Sequence, residues 1–459
     1  MRFAQLAQVR FGFGPAPGRP APADAEAILA ALRAPDRLAQ RWPGLSTPAA
    51  LAYAERFHAL KKAASPRSMP ADPVAAEAAF VAHRRLGDQV RIESLQGALA
   101  RAVEDAAGMR ERLWAFWRDH FTVRSKRRQE GPLACAHAEA LRPHLCGNFR
   151  DLLRTAETHP MMLIYLDQVT SFGPNSRRAK KRPDRGLGLN ENLAREVMEL
   201  HTLGVDGRYT QTDVRELAEL FTGLRVNEAG LFFAPDLAEP GAEQVLGQSY
   251  GGDPAQLDDI YKVLDALALH PDTAQHLARK LAVHFVGPDP DPGLIAAMAE
   301  AYHASGAELM PVYRVLLTHP AALLPQFEKI RQPFDYVATG LRALGLDGAA
   351  VMALPQAEVR RGAYLPMRAM GQSWRAAPGP NGWPEAAADW ISPQQLAARV
   401  SWALAAPQRF AAPVADPVAF AQQALGDRLG PDLARAVPRA ESKPEAAALV
   451  LASAEFMRR

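Results

Sequence analysis

NENLAREVMELHTLGVDGRYTQTDVRELAELFTG, residues 190–223, reads as two helices joined by a tight turn. Asn190 is a good N-cap, since its side-chain oxygen can accept a backbone N–H of the first turn. Helix then runs through ENLAREVMELHTL. Gly204 falls where a left-handed residue closes a helix, with Val205 as the apolar contact beyond it. Asp206-Gly207 is turn chemistry. Thr210 and Asp213 have the spacing of a capping box, and the second helix stops at Gly223. These local signals agree, and they set the expectation of an all-α fold.

Working outward, alanine, leucine and arginine are abundant, which favours helix. Apolar residues recur at helical spacing in Asp24–Leu32, Val74–Leu86, Leu95–Ala107 and Thr273–Val286. The 38 prolines divide the chain into many short-to-medium helices around one extended core. One β excursion is expected near 224–248, where LRVNEAGLFFAPD makes two short runs around a Glu-Ala-Gly turn. Ser171–Gly186, Pro235–Pro254 and Arg375–Pro384 read as loops, rich in Gly and Pro. No linker forces a split. Residues 1–459 are taken as one helical domain, with subdivisions at 1–105, 106–250 and 251–459.

The 459 residues are 48% hydrophobic and 22% charged, and the net charge is +3. That charge gives no field to draw nucleic acid. No apolar run is long enough to span a membrane. Gln5, Gln8 and Arg10 interrupt any signal-peptide core, so a cytoplasmic location is expected. Cys135 and Cys146 are too far apart along a continuous helix to form a disulfide, although Pro143 can break that helix.

On a helical wheel, Leu193, Ala194, Val197, Met198 and Leu200 share one arc with His201 in its middle. Glu191, Asn192, Arg195, Glu196 and Glu199 occupy the other. Glu191, Arg195 and Glu199 are four residues apart, so two ion pairs can form on a solvated face. The alternative is that Asn192, Glu196 and Glu199 face a cavity. Glu196 and Glu199 are i, i+3, as in helical carboxylate sites, and are the candidate ligands for a divalent metal. Asp167 lies near the end of the helix begun by His159-Pro160, against the macrodipole, and needs a partner. His120 follows the aromatic run Trp114, Phe116, Trp117, either as a core residue or in an acid–base pair with Asp119.

Three further groupings have bland readings. Cys135, His137, His144 and Cys146 give a C-x-H…H-x-C pattern that fits no structural zinc template. Arg177, Arg178, Lys180, Lys181, Arg182 and Arg185 make a basic stretch without interleaved aromatics. Trp374, Trp383 and Trp390 flank the proline-rich loop, either as a ligand wall or as packing.

GLNENLAREVMELHTLGVDGRYTQTDV resembles the signature of the bacterial "domain of unknown function 1800" family. Phe116-Trp117-Arg118-Asp119-His120-Phe121 is similar to its Phe-Trp-x-Asn-His-Phe motif. Arg142-Pro143-His144, Gly147–Arg150 and His159–Leu163 with Leu166-Asp167 and Ser171 follow in the family's order. Gly371-Gln372, Gly382-Trp383-Pro384 and Trp390-Ile391 look like its tryptophan loop, and Ser453–Phe456 like its ending. The resemblance spans nearly the whole chain. It implies a largely helical protein, often exported, and commonly encoded beside an alkaline-phosphatase-like partner. The chain departs from the pattern twice. Asp119 stands for the motif's Asn, and Ala238–Glu243 replaces a His-Asp-x-Gly-x-Lys motif, losing its His and Lys.

Two functions fit. One is an enzyme in which Glu196 and Glu199 do acid–base or metal chemistry, with Asp167 beside them, Arg195 orienting them, and Asn192, His120 and His201 in support. The other is a non-catalytic partner of the co-encoded phosphatase-like protein, exported together with it.

Overall fold

The structure is a computed structural model and describes residues 1–69, 71–410 and 414–459. It is mostly helical, with two small antiparallel two-stranded sheets. One continuous cluster of buried apolar side chains runs from Leu6 to Met457.

The helix Met109–His120 passes through the middle of that cluster. It is buried nearly all round, so its polar groups must be satisfied by other parts of the chain. Trp114 Nε1 donates to Ala138 O at 2.8 Å, and Trp117 Nε1 to Tyr313 Oη at 2.8 Å. Glu111 is gripped by Arg142, with Arg101 3.7 Å away. Arg112 pairs with Asp335, which Arg459 also reaches at 3.2 Å. These guanidinium groups hold the Asp335 carboxyl down at about 2, against the opposing pull of burial.

The 190–223 unit forms as two helical segments. Asn190 Oδ1 accepts the N–H of Asn192, and Gly204 is left-handed at φ 89°. Thr210 and Asp213 make the reciprocal capping box, and the second helix spans Gln211–Leu220. Val205 is 68% exposed, so the apolar contact expected of it is not made. The first helix is α only over Asn192–Glu196; Val197–His201 is a π-turn.

The expected hairpin is Leu224–Asn227 paired with Gly230–Phe233, turning at Glu228-Ala229. A second hairpin pairs Gly241–Val245 with Gln248–Gly252, inside the stretch read as loop. Its first strand docks on the helix Gln211–Leu220 through backbone donors. Gln244 N donates to Glu216 and Leu246 N to Asp213, each at 2.8 Å. The segments expected at Val74–Leu86 and Leu95–Ala107 are parts of one helix, Pro73–Glu104. The stretch Ser171–Gly186 contains a short helix, Arg177–Lys181. Cys135 and Cys146 are free thiols.

Asp213 therefore serves two elements at once. Thr210→Ala should cost about 1 kcal/mol through the cap alone. Asp213→Ala should cost more, about 2 kcal/mol, because it also strands the Leu246 N–H. Urea titration of both variants measures the difference, and equal losses would show that the hairpin does not lean on this carboxylate.

Candidate polar seam beneath the tryptophan loop

A helix end leaves its last carbonyls without intrahelical donors. At the buried end of Val197–His201, other groups supply them. Thr202 Oγ1 donates to Val197 O at 2.6 Å, and Gly204 N to Met198 O at 3.1 Å. His276 Nε2 donates to Leu200 O at 3.0 Å, and His120 Nε2 to His201 O at 3.2 Å. Carbonyls only accept, so both rings carry their proton on Nε2. Burial pushes His276 down to about 4 and His120 well below its ordinary value, so both are neutral. Gly204 makes this approach possible: a Cβ there would lie 2.7 Å from His276 Nδ1.

The π-turn also sets His201 against Glu157. His201 Nδ1 lies 2.8 Å from Glu157 Oε1, and both side chains are 1% exposed. His120 sits between His201 and His276, with ring centroids at 5.8 and 6.3 Å.

Helix Pro271–Phe285 places His276, Lys280 and His284 four residues apart, on one stripe. Lys280 is lowered by burial, and Asp119 and Glu385 oppose that shift. Asp119 accepts the Trp383 N–H with both carboxylate oxygens, at 3.1 Å each. Gly382 permits the contact: a Cβ there would lie 2.7 Å from Asp119 O. Two residues on, Glu385 accepts from His284 Nδ1 at 2.6 Å and from Lys329.

The two carboxyls that flank Trp383 are pushed in opposite directions. Burial and then the Glu385 charge raise Asp119 to about 7. His284 and Lys329 hold Glu385 far below the usual carboxylate range despite its burial. Glu385 in turn leaves Lys329 at about 8, chiefly lowered by burial. A cavity of about 40 Å³ touches Asp119, His284, Asp335, Gln372 and Trp383. That is room for a water or two. Arg118 closes one side, its guanidinium 4.3 Å from the Trp374 ring.

The residues singled out from sequence divide between this seam and its surroundings. His120 and His201 lie in it. Glu196 is half-buried at its outer end, raised first by burial, with His201 as the strongest opposing charge. Arg195 pairs with Glu191 at 3.0 Å and with Glu199 at 3.3 Å, the two ion pairs that the spacing predicts. Asn192 is exposed. The charged partner of Asp167 is Lys126, at 2.8 Å. Among the described residues, no third ligand joins Glu196 and Glu199. The grouping close enough to share one cation is Glu216, Glu219 and Glu243. Cys135, His137, His144 and Cys146 are not gathered: His144 bonds Thr155, and His137 packs on His159.

Trp374 and Trp390 are buried, and Trp390 Nε1 donates to Pro384 O at 2.9 Å. The motifs FWRDHF, MELHTLG, GQSW and GWPE thus converge on one region. A family model described as "Protein of unknown function (DUF1800)" matches residues 7–458. The chain belongs to that family. No curated protein and no solved structure matches it. In this DUF1800 protein, sequence reasoning missed His276, Lys280, His284 and Glu385. The H-x₃-K-x₃-H stripe inside an otherwise amphipathic helix was the available signal for the first three.

The opposed carboxyls fix a pH dependence. Asp119 at about 7 in the folded chain, against ~3.9 unfolded, binds more protons folded than unfolded. Its contribution to stability falls as pH rises from about 4 to 7. Glu385, lowered by folding, contributes stability that is present above the unfolded value of ~4.3 and lost on acidification. Asp119→Asn should abolish the first slope and keep the second, as read by urea unfolding from about pH 3 to about pH 7. An unchanged slope would mean that Asp119 titrates normally. Gly204→Ala should cost roughly 1–3 kcal/mol from backbone strain alone, with further loss from crowding His276.

Proposed function

We propose that this DUF1800 protein performs acid–base chemistry along the seam. In this reading Asp119 carries the proton and Glu385 is the fixed carboxylate. The observation that supports it most is the opposed pair flanking Trp383, two carboxyls whose surroundings favour different protonation states near neutral pH. A general acid or base works best when its proton affinity lies near the working pH. Glu196, with His201 and His120 behind it, forms the outer end through which protons exchange with solvent. Glu199 and Arg195 shape the surface of that end, and Asp167 stays with Lys126 outside it. The cavity has room for water-sized groups.

Isotope-edited infrared titration of the aspartate carboxyls tests the reading directly. One band should titrate near pH 7 and vanish in Asp119→Asn, while Glu196→Gln leaves it in place. Absence of such a band would overturn the assignment. Any turnover found with hydrolase or lyase substrate panels should fall at least a hundredfold in Asp119→Asn.

A second reading, a non-catalytic partner for the co-encoded phosphatase-like protein, draws on one feature. Helix Pro393–Phe410 exposes Leu396, Val400 and Leu404 on one stripe, the pattern of a helix that buries a face on something else. Co-purification of the two proteins, lost in Val400→Asp, would support that reading and would place the pair wherever the partner is delivered.

A further inference from the structure

Away from the seam, three carboxylates meet on the outer side of the 190–223 unit. Glu216 and Glu219 are one turn apart on the helix Gln211–Leu220, and Glu243 comes from the strand Gly241–Val245 packed against it. One oxygen from each can be chosen so that all three lie within 4.8 Å of one another.

Two of them have protein donors. Glu216 accepts the Gln244 N–H, and Glu219 accepts from Arg215 at 3.1 Å. Glu243 differs. It is 7% exposed, and among the described residues no backbone N–H, amide or cationic group donates to its carboxylate. Its carboxylate lies within 4.8 Å of those of Glu216 and Glu219, so like charge faces like charge. Glu239, on the approach to the strand, adds a fourth negative group, although its own carboxylate is occupied by Asn175. Tyr250 lies opposite Glu243 in the register and turns its hydroxyl to Gln248. Arg215, which pairs with Glu219, has its side chain 62% exposed. A buried anionic group without a donor needs a counter-charge.

We propose that Glu216, Glu219 and Glu243 form a binding site for one oxygen-seeking divalent cation, of the calcium or manganese class. An all-carboxylate donor set selects hard cations and disfavours zinc or copper, which prefer nitrogen and sulfur. The spacing suits it: ligand oxygens about 2.3–2.6 Å from a calcium ion lie up to about 5 Å apart across the coordination sphere. The helix supplies an i, i+3 carboxylate pair, and the strand supplies the third ligand at fixed register. Water fills the remaining positions on the half-exposed side.

Burial and then the neighbouring carboxylates raise Glu243 to about 8, so the cluster is crowded with acidic groups. The site belongs to neither reading of function above and stands or falls separately from both.

Isothermal titration of the full chain with calcium chloride and with manganese chloride, near pH 8, tests it. One cation per chain should bind, and binding should raise the thermal midpoint. Glu243→Gln keeps the shape and can donate to Glu216, so the fold should survive while affinity drops at least tenfold. Glu219→Gln, nearer solvent, should do the same and decides the matter if the first variant unfolds. Glu199→Gln should leave binding unchanged. No saturable binding, or binding that survives both Glu243→Gln and Glu219→Gln, would overturn the proposal.

Discussion

The buried end of the helix at His201 imposes the strictest condition on this molecule. Carbonyl oxygens there cannot reach water, and a lone acceptor in a dry interior costs on the order of a hydrogen bond or more. The chain meets the condition with two imidazoles from distant segments, His120 and His276. Satisfying those carbonyls brings three helices to one point. It fixes the tautomers of both rings, and it commits the chain to a line of titratable groups through its core. The arrangement of charges around Asp119 and Glu385 follows from that meeting.

This condition also explains which parts of the sequence could be read. The left-handed Gly204, the box at Thr210 and the first hairpin are set by residues within a few positions of each other and form as read, whereas the first helix opens at Asn192 with Glu191 in the cap position and Asn190 bonding the Asn192 N–H. The π-turn is different. It arises because partners some 80 residues away hold the last carbonyls, and nothing local to MELHTLG encodes their position. The second hairpin was hidden for a similar reason. GAEQV has little β character, and its strand is held by carboxylates of a helix about 30 residues earlier. In the long helix Pro73–Glu104 the middle, GDQVRIES, carries few apolar residues to mark a period, so the pattern shows only the two flanking segments. Gly87 there packs on Tyr53, with only 2.3 Å between a Cβ position and the hydroxyl oxygen. In the seam, His120 and His201 were legible as single residues beside aromatic and apolar runs. Glu385 was not, since its role depends on His284 and Lys329 from elements far away in the chain.

Charge inside this core is mostly arginine. Arg10, Arg331, Arg342 and Arg399 are each almost wholly buried. Their guanidinium groups donate to backbone carbonyls at helix ends and in loops, and among the described residues none of the four pairs with a carboxylate. A planar donor with five N–H groups can close several irregular chain segments at once, which a lysine cannot. In a protein of many short helices, whose ends outnumber those of a longer-helix fold, that is a general solution to the problem posed at His201.

Arg10 shows what this means for the order in which the molecule can be completed. Its side chain donates to the carbonyls of Ala322, Leu324 and Gln326, and Arg342 reaches back to Gly14. The helix Phe3–Arg10 is therefore tied at its last residue to carbonyls more than three hundred residues downstream, and Phe11 beyond it packs on Phe285. Those contacts wait until most of the 459 residues have been made. Such long sequence separation slows folding and lengthens the interval of exposed apolar surface. A segment held this way becomes resistant to local opening only once residues 322–342 have been made and packed against it.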